Sequence, residues 1–131
     1  MHRRAFLSAV LAGALAAPLA ARAGEAKTAP PNPYVDFGSV AVTSLRAGGR
    51  RGVMTVEVQL QATDPALRDL ADLSQPYLRS AYVAVLQRYA LGLSPGDPPS
   101  PDWIAMTLQR ETDRVLKRRG AKVLLGTILV N

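Results

Sequence analysis

The sequence predicts an α+β fold: an antiparallel-leaning sheet in β-β-α-α-β order with two helices packed on it. Three features predict it. Residues 54–61 alternate apolar and polar at every step, two proline-led helix starts each precede an apolar stripe, and residues 123–130 are apolar apart from Gly126 and Thr127. No internal repeat is visible, and structure is expected from about Tyr34 to Asn131.

The first strand is expected at residues 34–45, rich in strand formers, with Val35, Phe37, Ala41 and Leu45 on one face and a weak point at Gly38. Residues 46–52 supply three glycines able to take positive φ, as a hairpin connection requires. In the second strand Met54, Val56, Val58 and Leu60 point one way and Thr55, Glu57, Gln59 and Gln61 the other, which predicts one buried and one wet face. Thr63-Asp64-Pro65 then starts a helix, with Thr63 or Asp64 as cap and proline where a missing N–H costs nothing.

Leu67, Leu70, Ala71 and Leu73 follow with helical spacing until Pro76 breaks or kinks the run. Beyond it Leu78, Tyr82, Val85, Leu86 and Tyr89 mark one face, with the Tyr82 and Tyr89 hydroxyls expected at the core's rim and Arg79 and Arg88 away from it. Residues 92–99 carry two glycines and three prolines and form a loop. Ser100-Pro101-Asp102 opens the second helix, which turns Trp103, Ile104, Leu108, Val115 and Leu116 inward and closes on Lys117-Arg118-Arg119 with Gly120 as the C′ glycine. The last run, Val123 to Val130, is apolar on both faces and is expected in the sheet interior.

Ahead of this domain stand a charged start with Arg3 and Arg4, an apolar stretch from Ala5 to Ala17, and the small-residue pair Ala21 and Ala23. That order is the one of a secretory signal peptide, with cleavage expected before Gly24. Arg3 and Arg4, followed by Ala5 and then Phe6 and Leu7, resemble the twin-arginine consensus ahead of a mildly apolar core. Two alternatives stay open: an ordinary secretion signal, and an uncleaved anchor, for which residues 5–21 are short and interrupted by Pro18. Residues 24–33 hold Lys, Thr and three prolines with little to bury and read as a flexible tether, which leaves residues 34–131 as the domain.

Cleavage before Gly24 removes 23 of 131 residues, and the remaining 108 suffice for one domain that buries roughly 60–70% of its unfolded surface. Three of the sixteen basic residues leave with the signal, so thirteen stand against ten acids and the formal +6 becomes +3. Nucleic acid is not expected as a partner. The chain has no cysteine, and its one histidine is His2, within the signal. The mature part therefore lacks thiol nucleophiles, Ser-His-Asp triads, histidine acid–base groups and the usual zinc, copper and haem ligands. A non-catalytic role is expected, with no cofactor, metal or catalytic residue assigned. Asp64, Asp69 and Asp72 lack EF-hand spacing and are explained as helix-start carboxylates.

The stretch from Tyr34 to Val42, the Gly/Arg turn, Met54 to Gln61, Thr63-Asp64-Pro65 and the closing Val123 to Asn131 together resemble the periplasmic domain of the FliL-type flagellar basal-body proteins. The resemblance implies a fold similar to the stomatin-type membrane-scaffold domain. It implies association with the motor's stator units and the inner membrane in support of motility, and assembly of several copies. Two departures stand beside it: members usually carry a cytoplasmic stub and a full transmembrane helix, and they often end in glutamine where this chain has Asn131.

Two basic clusters are candidate contacts. Arg114, Lys117, Arg118, Arg119 and Lys122 suit anionic lipid headgroups or an acidic partner, or are a solvated helix end favoured by the macrodipole. Arg50 and Arg51, with Arg46, suit carboxylates of a neighbouring copy, or are a solvated hairpin tip. Two function classes follow: a FliL-like interaction protein of the periplasm associated with the inner membrane, and an exported binding module or small Cys/His-free enzyme with no flagellar link.

Overall fold

The computed structural model describes residues 32–131. The export-signal residues Arg3, Arg4, Phe6 and Leu7, the cleavage pair Ala21 and Ala23, and residues 24–31 of the tether lie outside them. The described chain is α+β, with three strands and three helices in the order β-β-α-α-α-β. The strands are β1 (Tyr34–Leu45), β2 (Arg51–Gln61) and β3 (Lys122–Val130), and the helices are α1 (Pro65–Leu73), α2 (Gln75–Gly92) and α3 (Pro101–Leu116). The sheet is antiparallel throughout, in the order β1-β2-β3.

The expected two helices become three at Pro76. A proline ring clashes with the carbonyl four residues back, so a helix cannot run through it unbent. Here α1 stops at Leu73, Ser74 takes φ −91° and ψ 5°, and Pro76 falls in the first turn of α2, where no hydrogen bond is lost. The joint stays tight, since the Ser74 N–H donates to Leu70 O and the Leu78 N–H to Ser74 O, both at 2.9 Å. The break also turns Leu73 outward, where it is 80% exposed, against the inward face its spacing predicts.

The two strands of the hairpin pair from Tyr34↔Gln61 to Leu45↔Arg51, with one register shift between Asp36 and Gly38. Gly38 there has φ 64°, a conformation glycine adopts without a Cβ penalty, and the Asp36 carboxylate accepts from its N–H at 2.8 Å. This bulge inserts one residue and so reverses the alternation beyond it. Val35 and Phe37 point into the core as expected, but Val40 and Val42 replace Ala41 and Leu45, which face out. In β2 the inward set is the expected one: Met54, Val56, Val58 and Leu60 are all buried.

All three helices lie on one face of the sheet, and the core between the layers joins the inward strand residues to Leu67, Leu78, Tyr82, Leu86, Ile104, Leu108 and Leu116. Phe37 meets Tyr82 edge-on, with ring centroids 5.5 Å apart. Strand β3 is not interior, as its two apolar faces predict, but an edge strand. Of its nine residues only Val123 is buried, while Leu129 and Val130 are exposed. Side-chain hydropathy reports what covers the faces of a strand and carries no information about which strand pairs with its backbone.

Both sheet edges are closed in part by glutamine amides from the helices. Gln87 of α2 accepts from the Thr43 N–H at 3.1 Å and donates to the Thr43 carbonyl at 2.9 Å. Gln109 of α3 accepts from the Val123 N–H at 2.9 Å and donates to the Ala121 carbonyl at 2.6 Å. Arg79 of α2 also donates to the Phe37 carbonyl. These side chains occupy backbone groups that a foreign strand would otherwise use.

Candidate functional site

The first basic cluster does not form one patch, because α3 ends earlier than its sequence predicts. Leu116 is the last core residue of the helix, and Lys117, with φ 56° and ψ 26°, takes the left-handed position expected of Gly120. The chain must turn there to bring Ala121 and Val123, both buried, onto the sheet. The turn scatters the cations. Arg118 reaches Asp64 at 3.1 Å, and the same carboxylate accepts from Ala66 N–H at 3.1 Å as the N-cap of α1. Arg119 and Lys122 stand beside Gln109 and Asp113 at the start of β3.

Arg114 and Lys117 face the opposite way, into a groove between α2 and α3. Its floor is Ser80, Ala81 and Ala84, its wall is Tyr77, and its volume is about 770 Å³. Small side chains on the α2 face leave the depth, and Tyr77 and the neighbouring Leu73 are 72% and 80% exposed. Arg114 pairs with Glu111 one turn earlier, its Nε donating at 3.0 Å. Sequence offers Tyr77, with Tyr34, Tyr82 and Tyr89, as a candidate recognition surface, but helical spacing puts Leu73 on the inward face. The signal for Leu73 is that Pro76 ends its helix before the apolar stripe can continue.

Arg46, Arg50 and Arg51 do come together, at the β1–β2 tip. Ala47 to Gly49 make a single 3₁₀ turn there, tied by the Arg46 N–H donating to Arg50 O at 2.6 Å. Among the described residues no carboxylate lies within ion-pair distance of the three guanidinium groups.

A third feature lies on the open face of the sheet, where two bulges flank Glu57. Between Val56 and Val58 the register with β3 also shifts, so Gly126 and Thr127 oppose Glu57 alone. The Glu57 carboxylate accepts from Thr127 N–H at 3.1 Å, and a Cβ at Gly126 would stand 2.6 Å from it. Asp36, Ser39, Gln59 and Leu124 complete a recess of about 350 Å³.

Phe37, Tyr82, Tyr89 and Trp103 serve packing. Tyr82 is fully buried, not at the rim: Thr112 donates to Leu108 O at 2.8 Å, which leaves its oxygen to accept from the Tyr82 hydroxyl at 2.5 Å. Burial pushes the Tyr82 phenol up to about 12; the Thr112 hydrogen bond opposes the rise and Asp113 adds to it. Trp103, 40% exposed, stacks on Tyr89 at 4.3 Å, and the Tyr89 hydroxyl accepts from Ser100 N–H at 2.7 Å. Asp69 and Asp72 pair with Arg68, each at 3.8 Å. Among the described residues no three His, Asp or Glu side chains gather as a metal site, and no helix is long and apolar enough to cross a membrane. Compared with protein-family models and with curated proteins, the chain matches none.

Proposed function

We propose that this chain is a non-catalytic interaction protein, exported to the periplasm, that works at the outer face of the inner membrane on a membrane complex. The resemblance to FliL-type proteins makes the flagellar stator the first candidate for that complex. One observation carries the reading: the α2–α3 groove keeps Tyr77 in water beside Arg114 and Lys117, and Leu73, four residues earlier in the chain, is also exposed. Apolar side chains so placed bury little of their surface in the fold, and Tyr77 with cations at its rim suits an acidic, amphipathic helix of the partner.

Two measurements test it. Cells making a C-terminally tagged protein are fractionated and the intact mass of the recovered chain is taken, in wild type and with Arg3 and Arg4 changed to Lys. A periplasmic species beginning at Gly24, absent from the double mutant, is expected. Swimming in soft agar is then compared after deletion and in Tyr77→Ser/Lys117→Glu, which should be impaired alike. Full motility in both would remove the stator reading.

A second reading, an exported binding module or small enzyme, draws on the recess around Glu57, where Asp36, Ser39 and Gln59 converge. Retained motility together with a small molecule bound there would favour it.

A further inference from the structure

We infer that the β1–β2 tip, together with the end of β3, is a docking surface for anionic phospholipid, and that it holds the exported protein to the membrane. The inference rests on the reading that the protein works at the inner membrane, and it gives that association a place on the molecule.

Charge is the first argument. Arg46, Arg50 and Arg51 are exposed at the tip, and among the described residues none meets a carboxylate. No aspartate or glutamate occurs in residues 40–56 or 127–131, the strands that build this end. Of the α3 cations, Arg114 and Arg118 are already paired with Glu111 and Asp64, and the turn after Leu116 separates Lys117 from Arg119 and Lys122, which stand beside Asp113. An unneutralised cationic end attracts the negative potential of a phospholipid surface.

The apolar side chains beside the arginines form the second argument. Leu45, Val53, Leu129 and Val130 are 38%, 45%, 53% and 44% exposed. Register brings them to one end: Leu45 opposes Arg51, Val53 opposes Thr43, Leu129 opposes Thr55, and Val130 opposes Met54. The backbone of Asn131 pairs with Val53 in both directions, at 3.1 and 2.9 Å, so β3 runs up to the tip. A Cβ at Gly52 would stand 1.9 Å from Asn131 O, and only glycine lets the two backbones approach so closely.

The distribution of these residues selects the occupant. Leu45, Val53 and Leu129 lie on the open face of the sheet, whereas Val130, opposite the buried Met54, lies on the helix side. Apolar groups on both sides of a narrow end, with guanidinium groups at its extremity, do not present one flat patch to a protein. They suit entry end-on into the headgroup layer, with apolar side chains at the acyl boundary and arginines among the phosphates.

The protein is purified in the form that cells export and is sedimented with vesicles of phosphatidylglycerol and phosphatidylethanolamine, and with phosphatidylcholine alone. Binding is expected to the first and not the second, and to fall in high salt. Arg50→Gln/Arg51→Gln should lower the partition coefficient roughly 30-fold, taking about a fivefold factor per cation. Leu129→Ser should weaken binding at every salt concentration, with the thermal unfolding of each variant checked to exclude misfolding. No binding to anionic vesicles, or unchanged binding by the tip variants, overturns the inference. Loss only in Arg114→Gln/Lys117→Gln would move the lipid contact to α3 and overturn it too. Vesicle binding needs neither export nor a motor, so a null here leaves the interaction reading standing, and a failed fractionation leaves the lipid result standing.

Discussion

Tyr82 joins α2 to α3 through one hydroxyl that has no contact with water. Its phenol keeps its proton in the fold up to about pH 12, whereas the unfolded chain releases it near pH 10. The stabilisation is therefore complete below pH 10 and is lost as pH rises from about 10 to about 12. A urea midpoint that falls between pH 9 and pH 11.5 in the wild type should fall less in Tyr82→Phe, which should cost about 1 kcal/mol at pH 7 through the lost hydrogen bond. At Lys117 the opposite situation holds, a side chain in a left-handed conformation that costs about 1–2 kcal/mol. Lys117→Gly should thus gain about 0.5–1 kcal/mol after the entropy of glycine is counted, read as a Tm raised by a few degrees. Sequence marks Tyr82 as a core residue because its spacing fits one helix face. It does not mark Lys117, because a cation near a helix end and a cation beyond it look alike until the last buried residue is known.

Among the elements, the strands and helices follow from local pattern, and the errors arise where one element meets another. The bulge at Gly38 reverses a strand's two faces, so the same even spacing that places Phe37 inside puts Ala41 and Leu45 outside. Strand β3 satisfies an interior pattern and occupies an edge, which Gln109 protects at one end. Gln109→Leu should leave Val123 N–H and Ala121 C=O without their partner, costing about 1–3 kcal/mol. Hydrogen exchange is expected to speed at the Val123 amide well before that of Val58 in the central strand. Gln109→Glu keeps an acceptor for Val123 but loses the donor to Ala121 and Asp113 and sets a second carboxylate beside Asp113, so it should protect the Val123 amide better than Gln109→Leu without restoring stability. Equal protection in all three proteins would mean that the amide does not hold the edge.

In the whole molecule the two candidate surfaces stand at opposite ends. Asn32 sits at the start of β1, where Arg68 of α1 donates to its carbonyl at 2.9 Å, and the tip lies twelve strand residues away, about 35–40 Å at the usual rise. Helix α2 runs beside β1, with Arg79 at Phe37 and Gln87 at Thr43, so Tyr77 and its groove belong to the Asn32 end. Substitutions so far apart act independently. Tyr77→Ser/Lys117→Glu should therefore impair the protein contact and leave vesicle binding within about twofold, while Arg50→Gln/Arg51→Gln should do the reverse; loss of both activities in either variant would join the two surfaces into one. By itself the sequence determined the α+β class, the buried face of β2, the helix starts at Thr63-Asp64-Pro65 and at Ser100, and the grouping of Arg46, Arg50 and Arg51, because each follows from contacts within a few residues along the chain. Only the tertiary structure decided the third helix as a separate body, the edge position of β3, the scattering of the α3 cations and the meeting of Leu129 and Val130 with the arginine tip. Those depend on strand pairing and chain reversal between residues far apart in sequence, which no local pattern of hydropathy or charge encodes.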